Sequence, residues 1–216
     1  PKETVSRVQE KKGFEVVDVA RNHPEKAEHS LVLEGRKEVA SLVTIKISNL
    51  AKAKQVSAET LASLFKLITE NKESVFESSD FVIGVFSSLN TRTFKNEIPA
   101  LKVARNIETL LKEHNKKFRE KLDYGIGLSL GEIIAKKDDK FKFTALGNSL
   151  NMAKKTAELA LGELLLSENM QKKVAGEVRT EQVSKQGVNL YSIKAVMDRD
   201  KNKGFISSFL DRQRKS

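Results

Sequence analysis

Cysteine is missing from all 216 residues, which removes disulfide frameworks, thiol catalysis and cysteine metal sites from consideration. A chain free of cysteine suits a reducing compartment, so a cytoplasmic location is expected. No apolar run approaches the roughly 18 residues that a membrane-spanning helix needs. The start shows no basic-then-apolar leader pattern. Pro1 is compatible with simple removal of a Met, or with a domain cut from a longer, membrane-anchored protein. Internal repeats and low-complexity tracts are absent. The three histidines, His23, His29 and His114, lie far apart without metal-ligand spacing and are expected as surface or loop residues. No nucleophile, base and orienting group can be assembled from the order of residues.

Hydrophobic residues make up 39% of the chain and charged residues 31%, the balance of a folded globular protein rather than a disordered one. The length suits one well-buried domain with extensions. The formal charge of +10 favours polyanionic partners in general. The lysines, however, are interleaved with glutamates and form no basic stripe with aromatics, so nucleic-acid binding is not expected. Membrane contact is expected only through an attached segment or the basic tail, residues 196–216. In that tail Phe205, Ile206, Phe209 and Leu210 are spaced for a short amphipathic helix.

Residues 1–34 read as an extension: a polar leading segment, a strand at 14–20, a loop containing Pro24 and a short strand at 31–33. The run from Val39 to Ser48, rich in β-branched residues, predicts a buried strand. Ser57 starts a helix over 57–71, with Leu61, Leu64, Phe65, Leu67 and Ile68 on one stripe. Ser78-Ser79-Asp80 reads as a hairpin turn leading into the apolar strand Phe81–Phe86. Ile98, Leu101, Ala104, Ile107, Leu111 and Phe118 mark the buried face of a helix over 98–119. Tyr124–Leu130 and Ile133–Ala135 are two strands, or one strand kinked around Gly131. A charged turn at 136–140 leads to a strand at 141–144, and a helix runs from Gly147 to about Leu161. Strands at 164–166 and 187–193, with a short helix near 168–174, complete the set. The expected fold is α+β, with helices on one face of a mostly antiparallel sheet.

Four blocks, whose order along the chain matches the family's, resemble the catalytic domain of class III adenylate and guanylate cyclases, over about residues 35–195. Phe143-Thr144-Ala145-Leu146-Gly147-Asn148-Ser149-Leu150-Asn151-Met152-Ala153-Lys154-Lys155 is similar to the family's Tyr-Thr-x-x-Gly-Asp-x-Val-Asn-x-Ala-x-Arg. Val43–Leu50 is similar to Val-Thr-x-Leu-Phe-x-Asp-Ile. Ser79–Phe86 resembles the Gly-Asp hairpin, and Tyr124–Ala135 resembles Ile-Gly-x-x-x-Gly-x-x-x-Ala. The resemblance implies a ferredoxin-like, cyclase-type sheet and a site formed between two such domains, in a homodimer or a heterodimer. It also implies ATP or GTP as ligand, with Mg²⁺ or Mn²⁺ if the site works.

In such enzymes the ribose 3′-hydroxyl attacks the α-phosphate and pyrophosphate leaves, with two carboxylates holding two divalent ions. By resemblance the carboxylate positions fall on Asp80, which is kept, and on Asn49, where the family Asp is lost. The transition-state positions fall on Asn151 and Lys155, and Lys155 stands where the family has Arg. The base-reading positions fall on Phe76 and Asn148, neither of which matches the adenine-reading pair. Taken without the family, Asp80 is a turn former, Asn151 a polar helix residue, and Gly125, Gly127 and Gly131 sites of close packing. Three functions stay open: a catalytically impaired module for signalling, nucleotide binding or dimerisation; an active but divergent cyclase; and a basic module that binds nucleic acid or membrane.

Overall fold

In a computed structural model the described residues are 36–52, 57–70, 74–137, 142–145 and 147–197. The expected strands at 14–20 and 31–33 and the helical tail lie outside them. The sheet is built around β1 (Arg36–Ile47), whose β-branched residues suit a strand paired on both edges. It runs antiparallel to β3 (Phe81–Phe86) on one side and to β4 (Tyr124–Lys137) on the other. β2 (Ser74–Ser78) forms a hairpin with β3, and β5 (Lys142–Ala145) pairs with the end of β4. Beyond β4 come β6 (Leu164–Ser167), β8 (Val188–Val196) and β7 (Val178–Lys185). The sheet order is β2-β3-β1-β4-β6-β8-β7, and only the β4–β6 pair is parallel. That is the mostly antiparallel α+β sheet expected. Tyr124–Lys137 is one continuous strand, which settles the two-strand alternative.

Side chains alternate across β1, and the two faces are covered differently. Val43, Ile45 and Ile47 are buried with Leu61, Leu64 and Ile68 of α1 (Ala58–Thr69) and with Leu101, Ala104, Ile107 and Leu111 of α3 (Glu97–Lys117). Met170 and Val174 of α5 (Glu168–Val174) join the same cluster. Ala40 and Leu42 point the other way, into a second cluster with Ile83, Val85 and Leu150, Ala153 and Ala157 of α4 (Gly147–Leu159). The helices therefore cover both faces, correcting the one-face expectation. The cause is a row of glycines, Gly125, Gly127 and Gly131, on the strand directly beneath α4. A Cβ at Gly125 would lie 2.1 Å from the Ala160 carbonyl oxygen, so the helix backbone comes closer than any side chain allows.

Burying a Leu or Ile side chain contributes about 1.5–3 kcal/mol, so these two clusters dominate the stability. Ile98 and Phe118 do not join the core: they are 41% and 52% exposed, at the two ends of α3. The hairpin expected at 78–80 is formed by β2 and β3, whereas the short helix α2 (Ser88–Thr91) and the strand β7 were not anticipated.

Tyr124 opens β4 inside the first cluster, and its phenol is pushed up to about 12 by burial and then by the Glu108 carboxylate. The unfolded chain releases that proton near 10, whereas the folded chain keeps it to about 12. This contribution to stability is complete below the lower value and disappears as pH rises to the higher one. Between them the native chain should lose about 1–2 kcal/mol more stability than Tyr124→Phe, measured by urea unfolding across that range. Equal losses would show that the phenol is not held neutral.

Candidate functional site

The site begins where β1 ends. The amide of Ile47 donates to the Asp80 carbonyl at 2.8 Å, and the amide of Ser48 donates to the Asp123 carbonyl at 2.9 Å. The two-residue turn Ser79-Asp80 joins Ser78 to Phe81 and has a left-handed φ of 55° at Ser79. Strand pairing thus sets Asp80 against Ile47, two residues before Asn49 in the chain. The Asp80 carboxylate has no ion pair among the described residues.

Asn49 is committed elsewhere. Its Nδ2 donates to the Lys121 carbonyl at 3.3 Å, while its Oδ1 is covered and lacks a hydrogen-bond partner among the described residues. The α3–β4 loop that receives it is itself tied down. Asn115 donates to the Leu122 carbonyl at 2.9 Å and accepts from the Leu122 amide at 2.7 Å, and the Lys121 ammonium donates to the Phe118 carbonyl at 2.7 Å.

His114 belongs to this loop's support and not to the surface, correcting the expectation for it. It is 4% exposed, with Nδ1 2.8 Å from Thr60 Oγ1 and Nε2 3.2 Å from the Glu120 carbonyl, and its ring stacks on Phe118. The carbonyl makes Nε2 the protonated nitrogen and Nδ1 the acceptor from Thr60.

On the α4 side, Lys154 donates to Ser78 Oγ at 3.0 Å, and Lys46 lies 3.7 Å from Glu158 Oε1. Both ammonium groups sit over the Phe81 ring, at 5.4 and 5.7 Å from its centre. The cations thus latch α4 to the β2–β3 hairpin. Neither lysine was singled out from the sequence. The available signal was Lys46, a cation interrupting the apolar run from Val43 to Ile47.

The other positions divide into two places. Asn148, Asn151 and Lys155 are all exposed and recur on the outward face of α4, opposite the buried Leu150, Ala153 and Ala157. Phe76 is buried in the second cluster beside Phe81 and Ile83, and offers no polar atom to a base edge. Gly125, Gly127 and Gly131 serve the close seating of α4, as the packing reading expected. No group of three or more His, Asp or Glu that could hold a metal ion occurs among the described residues.

The sequence matches no protein-family model and no curated protein. Solved structures do match. The guanylyl cyclase Cya2 superposes with a TM-score of 0.59 at 15% identity, over 77% of this chain and 96% of that one. The adenylyl cyclase CyaB from P. aeruginosa gives 0.60 at 13% identity, over 77% and 98% of the two chains. The guanylate cyclase domain of RhGC from Catenaria anguillulae, solved in complex with GTP, gives 0.59 at 16% identity, over 75% and 100%. The chain has the fold of the adenylyl and guanylyl cyclase domains.

Proposed function

We propose that this chain is a class III cyclase-type domain kept for nucleotide binding and assembly, with its turnover impaired. The observation that carries the reading is Asn49. Two divalent ions need carboxylate oxygens, yet this position presents an uncharged amide whose donor is engaged by the Lys121 carbonyl and whose oxygen is covered. Asp80 alone does not make a two-ion site, so the residues present do not fit the metal pair.

Nucleotide is the ligand class best supported, because the shared fold includes a domain solved with GTP and Lys155 keeps a cation on the exposed face of α4. Lys155 lacks the planar fork with which Arg grips two phosphate oxygens. Asn148 and Asn151 share that face and stand ready for a second domain, identical or intact, to complete the site. We place the unit at residues 35–195, with 1–34 and 196–216 as extensions, in a cytosolic setting.

The test is incubation of the full chain with ATP or GTP and Mn²⁺. Bound nucleotide without cyclic product is expected. Cyclic nucleotide formation that disappears in Asp80→Ala would overturn the reading.

A further inference from the structure

A second surface stands out at the end of α3, on the β3–α3 connection. Phe94 is 80% exposed, and Ile98, the second residue of α3, is 41% exposed. An aromatic this exposed is usually on a flexible tip, but here the connection is braced from within. Asn96 is 3% exposed. Its Oδ1 lies 2.6 Å from Thr91 Oγ1, and its Nδ2 donates to the Thr93 carbonyl at 2.9 Å. The Lys95 amide donates to Thr93 Oγ1 at 3.2 Å. The bracing holds the backbone on both sides of Phe94 and leaves its ring without packing.

Charge surrounds this tip. Arg92 and Lys95 flank Phe94 in the chain, and Lys102 and Arg105 continue the exposed stripe of α3 from Ile98. None of the four has an ion pair among the described residues, whereas Lys66, Lys112, Lys117 and Lys172 elsewhere are each matched to a glutamate. The acidic groups on the same stretch are Glu97, in the first turn of α3, and Glu108, which is paired with Lys112.

We infer that this end of the molecule docks on an anionic lipid surface, with Phe94 entering the headgroup boundary and Arg92, Lys95, Lys102 and Arg105 meeting the lipid charge. Among the described residues of this tip the exposed apolar area is a single projecting ring, Phe94, with one aliphatic residue, Ile98. That is too narrow for a protein interface of standard size, but suited to an interfacial anchor that works together with cations. One aromatic, without a second platform beside it, also does not make a stacking surface for single-stranded nucleic acid.

The chain contains no tryptophan, so Phe94→Trp places a single reporter at the tip. Full-length protein is mixed with phosphatidylcholine vesicles, with or without phosphatidylserine. The emission should shift to the blue and be quenched by brominated lipid only when phosphatidylserine is present. Phe118→Trp, 52% exposed at the far end of α3, should not respond. Phe94→Glu should weaken sedimentation with the anionic vesicles by about tenfold, and added salt should release the protein.

Absence of binding to the anionic vesicles would overturn the inference. Binding with unchanged emission at position 94 would do the same, since another segment would then carry it. An equal blue shift with polyuridylate RNA in place of vesicles would assign the surface to nucleic acid instead.

Discussion

Gly125→Ala is expected to destabilise the chain by about 3 kcal/mol or more, lowering Tm by about 6–12 °C. The new methyl would meet the carbonyl oxygens of Ala157 and Ala160 at 2.2 and 2.1 Å. Both are main-chain atoms at the end of α4, so no rotamer change relieves the clash. The helix would have to withdraw from β4 as a body, breaking the second core cluster at Ala153 and Ala157. Withdrawal would also move Asn148, Asn151 and Lys155, so the proposed nucleotide binding should weaken along with stability. Gly187→Ala is the useful contrast. It sits at φ +74° with open space around it, so only the left-handed backbone cost of about 1 kcal/mol applies. Urea unfolding with an unchanged m-value would compare the two. A Gly125→Ala chain within about 1 kcal/mol of the parent would mean that α4 is not seated on β4 as described.

That seating was partly legible in the sequence. Alternating glycines in an otherwise apolar strand signal close backbone approach, and Leu150, Ala153 and Ala157 mark a helix face made small enough to use it. The sequence did not reveal which face of the sheet α4 covers, because that depends on the long-range pairing of β1 with β3 and β4. β7 escaped for a different reason. Among its residues only Val178 is buried, so an edge strand with polar side chains on both sides leaves no alternation to detect. His114 carried a readable signal that its polarity obscured. It falls three residues after Leu111 and seven after Ile107, on the buried stripe of α3. Ile98 and Phe118 fit the same period but lie at the two ends of α3, which shows that periodicity gives a face and not its extent.

The positions of the candidate site follow the same division. The turn that carries Asp80 and the helix that carries Asn148, Asn151 and Lys155 are local features, and both were expected from the sequence. What Asn49 does with its amide depends on a loop 72 residues away.

Asn49→Asp should cost about 1–2 kcal/mol at neutral pH. The substitution replaces an amide that donates to the Lys121 carbonyl with a carboxylate that can only accept. The oxygen on the other branch is covered and gains no donor, and the branch that loses its proton now faces the Lys121 carbonyl oxygen. The folded chain therefore holds the new carboxyl in its neutral form, raising its pKa above that in the unfolded chain. The penalty is then complete above the folded value, shrinks as pH falls, and disappears below the unfolded value, near the usual Asp range of about 4. Protonation also restores a donor for Lys121, so the two unfolding curves should converge in acid. Parallel urea titrations of the parent and the variant from neutral to acidic pH measure this directly. A variant as stable as the parent at pH 7, with no convergence in acid, would mean that the amide is not committed to the loop. Position 49 would then be open to a cation ligand, and the case for impaired turnover would lose the observation that carries it.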